Sequence, residues 1–197
     1  SVDSNNAGNR GGGLYSTGAN SLTNSSFNSN SAKNHGGGIY HNNGILTVAS
    51  STINLNTSAI YYYYYGGGIY IGSGAGSAPN TLTDTIISGN SARYQGGGLY
   101  AYSETDLTRT TVSGNSLTCC FYSTSSGGAG IFSDQGGTYT DSTISGNSGS
   151  SYTYGGGLHS RGSLDLINVT ISGNSGASNG DGIYIHSGAA VTMTNVT

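Results

Sequence analysis

The chain has 197 residues, among them 36 glycines, one proline, five basic and eight acidic side chains, for a net charge of −3. So few basic groups supply no stripe for binding nucleic acid, and no apolar run is long enough to cross a membrane as a helix. With 34% apolar residues, any core must be thin, one or two side chains per strand repeated many times.

In chain order, the phrase [FIV]-x-x-N comes first, at residues 2–5, ending at Asn5. GGGLY follows at 11–15, Leu22 stands alone among polar residues, and FNSN closes a unit at 27–30. Then come GGGIY (36–40) with INLN (53–56), GGGIY (66–70) with ISGN (87–90), and GGGLY (96–100) with VSGN (112–115). GAGIF (128–132) and GGGLH (155–159) each precede an ISGN, at 144–147 and 171–174, and GDGIY stands at 180–184. From the first glycine to the phrase-ending asparagine the count is 19, 20, 24, 19, 19 and 19 residues; from that asparagine to the next glycine it is 6, 10, 6, 13, 8 and 6. The first segment behaves as strands in register. The second carries the insertions.

Units of 25–32 residues, rich in glycine and β-branched residues, are poor helical repeats and suit a solenoid coil of three short strands and three bends. The expected fold is a right-handed single-stranded parallel β-helix of about seven coils over 1–197, taken as one domain. Three columns form its expected core. The first is Phe27, Ile53, Ile87, Val112, Ile144 and Ile171; the second is Leu22, Val48, Leu82, Leu107, Tyr139, Leu166 and Met193. Leu14, Ile39, Ile69, Leu99, Ile131, Leu158 and Ile183 make the third. Glycine at a recurrent position answers either a positive φ or a close backbone approach. Asn5, Asn30, Asn56, Asn90, Asn115, Asn147 and Asn174 are expected to bond to one another up the stack at ~4.8 Å per coil.

The paired phrases resemble the GGA[ILV] and FxxN repeats of the chlamydial polymorphic outer-membrane proteins. The third family position is mostly Gly here, Phe occurs at Phe27 only, and no translocator barrel is present. The resemblance implies a surface-exposed, passive or adhesive role and names no ligand.

Several features are candidates for contact. Tyr15, Tyr40, Tyr70, Tyr100, Phe132, His159 and Tyr184 each follow a core residue by one, which predicts an exposed, outward-facing aromatic ladder whose rings stack on one another and stabilise the coils, with binding of sugars or another molecule as the alternative. The inserted segments 58–65, 91–95, 116–126 and 148–154 leave at one corner. They carry Tyr61, Tyr62, Tyr63, Tyr64, Tyr65, Tyr94, Tyr122, Tyr152 and Tyr154, and Tyr with Ser and Gly is the vocabulary of adaptable contact surfaces. Outward threonines flank the Leu22 column in a pattern similar to ice-binding solenoids, broken at Ala49, Asp106, Asp165 and Ile167. Asp84, Arg109 and Asp141 share a column, an arrangement weighed as a polysaccharide-cleaving site and set behind a surface ion-pair row. Asn24, Asn168 and Asn195 head exposed glycan-acceptor motifs, whereas Asn56 heads one from within the asparagine column.

The adjacent Cys119 and Cys120 cannot bridge a core as an ordinary disulfide and lack partners for a zinc site. No metal, cofactor or catalytic activity is expected. Expected partners are other copies of the chain, glycans or a cell surface, in an extracellular setting. Because residues 1–5 and 193–197 are complementary in phase and neither end carries a recognised cap, two further expectations stand side by side: a carbohydrate-binding adhesin domain cut from a longer surface solenoid, or head-to-tail stacking into a filament.

Overall fold

A computed structural model describes residues 1–58, 64–74, 78–118 and 126–197. Every strand pair among them is parallel, and none of the described residues is helical. The chain winds as a β-solenoid of about seven coils. One coil shows the plan: Ile69–Ile71, Asn80–Thr83, Ile86–Ser88 and Ser91–Ala92 follow one another around the coil. Each pairs with its counterparts one unit earlier and one unit later, as Ile69 does with Ile39 and Leu99. The stacked counterparts make four sheets, called here by their outstanding residues: the glycine, threonine, asparagine and short sheets.

The first three sheets each have seven strands, and the short sheet has five strands of two residues. Three strands per coil is thereby corrected to three or four. After five of the seven ladder asparagines, from Asn5 to Asn115, the chain stays extended for two residues, as in Ser31–Ala32 and Ser91–Ala92, before the variable segment begins. Toward the C-terminal coils this fourth side thins to single bridges, Ser116 to Ser148 and Ser148 to Ser175.

Alternation within each strand buries one row and turns out the next. The three expected columns supply most of the core, to which Leu46, Ile71, Ala101, Leu164 and Val169 add. Ile39, Ile69, Leu99, Ile131, Leu158, Val48, Leu82, Leu107, Tyr139, Leu166, Ile53, Ile87, Val112 and Ile144 are all at 0% exposure. Met193, in the last coil of its column, is exposed. The flanking threonines face outward or partly outward, as Thr81 and Thr83 do on either side of Leu82.

Three left-handed corners turn each coil. One is the first glycine of every glycine phrase, with φ of 61–66° from Gly11 to Gly180. The second precedes the ladder asparagine and holds Ser4, Ser29, Leu55, Gly89, Gly114, Gly146 and Gly173. The third joins the threonine and asparagine sheets and holds Asn24, Ser50, Asp84, Arg109, Asp141, Asn168 and Asn195, with φ of 47–54°. Within the glycine phrase, Gly37 and Gly38 answer different demands. A Cβ on Gly37 would meet the Gly67 carbonyl oxygen and the Thr57 carbonyl, and one on Gly38 would meet the Asn56 amide at 3.0 Å. The phrase thus turns the corner, lets two backbones touch, and leaves room for the asparagine column.

Candidate interaction surface

The asparagine column is a continuous ladder inside the corner it shares with the glycine phrase. Asn56 Nδ2 donates backward to the Phe27 carbonyl (2.8 Å) and forward to Asn90 Oδ1 (2.9 Å), while its Oδ1 accepts from the backbone N and the Nδ2 of Asn30. The same pattern runs through Asn90, Asn115 and Asn147. It starts at Asn5, whose N and Nδ2 both donate to Asn30 Oδ1, and reaches Asn174, whose Nδ2 donates to the Ile144 carbonyl. From Asn56 to Asn147 all four hydrogen-bonding capacities of each side-chain amide are used, so the column is architecture and offers nothing to a ligand.

The aromatic column stands on the outer face of the glycine sheet, yet it is not exposed along its length. Tyr15 is 56% exposed, but Tyr40 is buried, Tyr100 is 8% exposed, and Phe132 and His159 are 1% exposed; Tyr70 and Tyr184 lie between. Two effects cover it. Parallel stacking consumes the ring faces: centroids are 5.0 Å apart from Tyr15 to Tyr40, 4.8 Å to Tyr70, 5.1 Å to Tyr100 and 5.2 Å to Phe132, with planes within 10°. A second layer from the variable corner covers the sides. His35 stacks on Tyr70 at 5.0 Å and on Tyr65 at 5.1 Å, Tyr65 stacks on Tyr100 at 4.7 Å, and Tyr154 lies 4.6 Å from Tyr184. Arg10 adds a guanidinium 5.2 Å over the Tyr40 ring and donates from Nη1 to its hydroxyl at 3.1 Å. Burial raises the hydroxyl pKa of Tyr70 to about 12 and pushes that of Tyr100 higher still. From Tyr40 to Tyr100 each ring is stacked on both faces and has none left for a sugar ring, whereas Tyr15 at the end of the stack keeps one.

Of the corner tyrosines, Tyr94 is buried, Tyr64, Tyr65 and Tyr154 are half-buried, and Tyr152 is 49% exposed. Tyr61, Tyr62, Tyr63, Tyr122, Cys119 and Cys120 lie outside the described residues. Tyr102, which the sequence reading passed over, is exposed on the turn that follows Leu99–Ala101. Its signal was available: a second tyrosine two residues after Tyr100, on the same outward row. Tyr102 and Tyr152 therefore present aromatic surface on either side of the covered ladder.

Two histidines in this aromatic layer are held neutral. Burial, with Arg10 nearby, lowers the His35 pKa to about 4, and its Nδ1 accepts from the Tyr65 backbone N–H at 3.3 Å. His159 is pushed down to about 3 by burial and by the neighbouring His186 and Arg161, and neither of its ring nitrogens has a hydrogen-bond partner. Its ring is turned 61° from Phe132 and 79° from Tyr184, so the parallel stack ends there.

The remaining candidates resolve into structure. Arg109 donates from Nε and Nη2 to both oxygens of Asp84, at 2.6 and 2.9 Å, in an exposed pair that holds the Asp84 carboxyl below its ordinary range. Asp141 instead accepts from Asn168 Nδ2 at 2.9 Å, and Asn195 donates to Asn168 at 3.0 Å. The column is two groups of polar contacts, Asp84 with Arg109 and Asp141 with Asn168 and Asn195, along a left-handed corner. The exposed Asn24, Asn168 and Asn195 all sit on that corner, while Asn56 is fully buried in the ladder.

A serine–histidine contact that the sequence did not reveal, Ser16 Oγ to His41 Nδ1 at 2.8 Å, has the reach of a nucleophile and base. Its column explains it otherwise. His41 reaches the Gly44 carbonyl, Ser133 accepts from the Gly136 N–H, and Ser160 donates to the Gly162 carbonyl. All satisfy the turn into the threonine sheet. Among the described residues, no group of three or more His, Cys, Asp or Glu is placed to hold a metal ion.

No curated protein and no solved structure matches the chain. The model of the Chlamydia polymorphic membrane protein repeat matches it twice, at residues 24–42 and 84–102. Both matches hold the same phase. Each starts at the third left-handed corner, Asn24 or Asp84, passes through the ladder residue, Asn30 or Asn90, and ends three residues after the last glycine-phrase aliphatic, Ile39 or Leu99. These two segments are similar to the Chlamydia polymorphic membrane protein repeat, and each folds here as the asparagine, short and glycine sides of one coil.

Proposed function

We propose that the chain is an extracellular structural or adhesive solenoid that makes its contacts through the aromatic side of the glycine sheet and the variable corner beside it. The fold and the two matched repeats fit a surface structural or adhesive protein. One observation carries the finer reading. Coil-to-coil variation in length is concentrated between the ladder asparagine and the glycine phrase, so the variable segments rejoin the stack at the corner beside the aromatic layer. A constant scaffold with variable, Tyr- and Ser-rich segments on one edge is how binding surfaces are varied without disturbing a core.

Exposed rings supply the contact, and the stacked ladder beneath supplies rigidity. The protein acts by binding; turnover of a polysaccharide that Arg109→Ala abolishes would contradict this. Binding of the purified chain to a glycan array and to a panel of cell-surface proteins tests the proposal. The variant Tyr102→Ser/Tyr152→Ser should lose most of the binding, and Thr81→Ser/Thr83→Ser should keep it. Binding that survives the tyrosine changes, or inhibition of ice recrystallisation that disappears with the threonine changes, would move the function elsewhere. Light scattering on the same samples reports whether the partner is a second copy of the chain.

A further inference from the structure

His35 is wedged between the aromatic column and the corner. It packs against Tyr40, Tyr65 and Tyr70, with Tyr64 edge-on at 5.6 Å. Its Nδ1 accepts the Tyr65 N–H, and the Tyr65 carbonyl accepts the Gly36 N–H at 3.1 Å. The imidazole thus holds the point where a variable segment rejoins the stack. His159 occupies the equivalent ladder position three coils from Tyr70, enclosed by Phe132, Tyr154, Tyr184 and the backbone of Gly127.

Protonation opposes both arrangements, at His159 by placing charge on buried ring nitrogens that have no partner. A protonated Nδ1 on His35 is a donor and can no longer accept from Tyr65. The ionisable groups around it are Arg10 from the preceding coil, Lys33 on its own turn, and the hydroxyls of Tyr40, Tyr64, Tyr65 and Tyr70. The one cation already on the Tyr40 face is Arg10. Around His159 are Tyr154, Tyr184, His186 and Arg161, whose guanidinium is taken by Asp134 at 3.0 Å. Among the described residues, no carboxylate in contact with either imidazole stands ready for the new charge.

From this geometry we infer that mild acid releases the corner residues 64–66 and 153–155 from the aromatic column, with His35 and His159 as the two latches. The inference rests on the reading of that corner as the contact surface, and it names the regulation of that surface. Both imidazoles titrate below the ordinary 6.5, so the closed corner loses stability as pH falls through 6.5, toward about 4 for His35 and about 3 for His159. Linkage makes local opening at each latch up to about 20-fold more favourable at pH 5 than at pH 7.

Amide hydrogen exchange by mass spectrometry at pH 7 and pH 5, corrected for intrinsic rates, reads this directly. In the unmodified protein, peptides covering residues 64–66 and 153–155 should lose about 20-fold in protection at pH 5, while residues 86–88 and 111–113 keep theirs. His35→Asn retains an acceptor near the Nδ1 position without titrating, and His159→Phe restores a ring to the stack. The double variant should show the same protection at both pH values. Unchanged protection in the unmodified protein, an equal loss in the double variant, or a loss spread evenly over all coils would overturn the inference. If His35→Asn does not fold, His159→Phe alone decides it through residues 153–155. Exchange is measured without any binding partner, so it separates failure of the latch from failure of the adhesive reading.

Discussion

Removing one amide from the middle of the asparagine ladder should be among the most damaging single changes in this chain. Asn90 is fully buried; its Oδ1 accepts from the N and Nδ2 of Asn56, and its Nδ2 donates to the Ile53 carbonyl (2.9 Å) and Asn115 Oδ1 (3.0 Å). Asn90→Ala leaves the Asn56 backbone N–H, one Asn56 side-chain hydrogen and the Ile53 carbonyl without these partners. Asn115 Oδ1 keeps the Asn90 backbone N–H. Three buried polar groups at ~1–3 kcal/mol each place the loss at about 3–6 kcal/mol, once some relaxation is allowed. Domains of this size are stable by only about 5–15 kcal/mol.

Asn90→Asp sharpens the test. One carboxylate oxygen can keep the Asn56 donors, but the other faces two acceptors, Ile53 O and Asn115 Oδ1, so the folded state favours the protonated acid and raises the carboxyl pKa. A carboxyl with a raised folded pKa is most destabilising above that value, and the penalty shrinks as pH falls toward its unfolded value near 3.9. The gap between Asn90→Asp and the unmodified protein should therefore narrow between pH 7 and pH 4.5, while the Asn90→Ala gap stays constant. Urea unfolding followed by far-UV circular dichroism and tyrosine emission, in a chain without tryptophan, measures both. An alanine variant within about 1 kcal/mol of the parent, below the cost of even one such group, or two gaps that run parallel in pH, would refute the ladder as a stabilising element.

Other positions give smaller expected effects. Ser58 is buried with no partner for its hydroxyl, in register with Ala32 and Ala92; Ser58→Ala should be neutral or stabilise by about 1 kcal/mol in urea titration. Leu55 holds a left-handed φ of 55° where later coils place Gly89 and Gly114, and its side chain is exposed; Leu55→Gly should raise the unfolding midpoint, at a gain of about 0.5–1 kcal/mol, and Gly89→Leu should lower it. His159→Phe removes two unpartnered ring nitrogens and extends the stack, so it should stabilise by about 1–2 kcal/mol at pH 7 in the same titration, with a larger gain at pH 5. Tyr100→Leu interrupts the stack between Tyr70 and Phe132 and should cost about 1–3 kcal/mol, while Arg109→Ala, at an exposed pair, should leave the unfolding midpoint nearly unchanged.

Periodicity made the solenoid legible before any coordinates. Counting back from each phrase-ending asparagine fixed which residues stack in the threonine and asparagine sheets, and Leu82, Ile87 and Leu99 fell into the core because alternation in a strand is a local property. Burial of the aromatic ladder was not legible. Tyr100 does point away from the core, as its neighbour Leu99 requires, but its cover comes from Tyr65, which lies in a segment of variable length with no period of its own. The left-handed corner at Asn24, Asp84 and Arg109 was also hidden. Residues there share a conformation without sharing a side chain, so no column of identity marks it. Likewise the contact between Ser16 and His41 depends on stacking across coils, and only the register of the glycine sheet brings the two together.

The account holds that the two phrases are architecture and that one unit is one coil. Asp84 and Arg109 occupy the same corner in successive coils, so excising residues 84–108 should join Thr83 to Arg109 with every later column still in phase. Urea unfolding of that variant, followed by far-UV circular dichroism, tests the claim most directly. A β-type spectrum and a cooperative transition at reduced urea are expected, and removal of the half-unit 84–95 should abolish both. An in-phase excision that leaves the chain unfolded, or a half-unit excision that folds equally well, would contradict it.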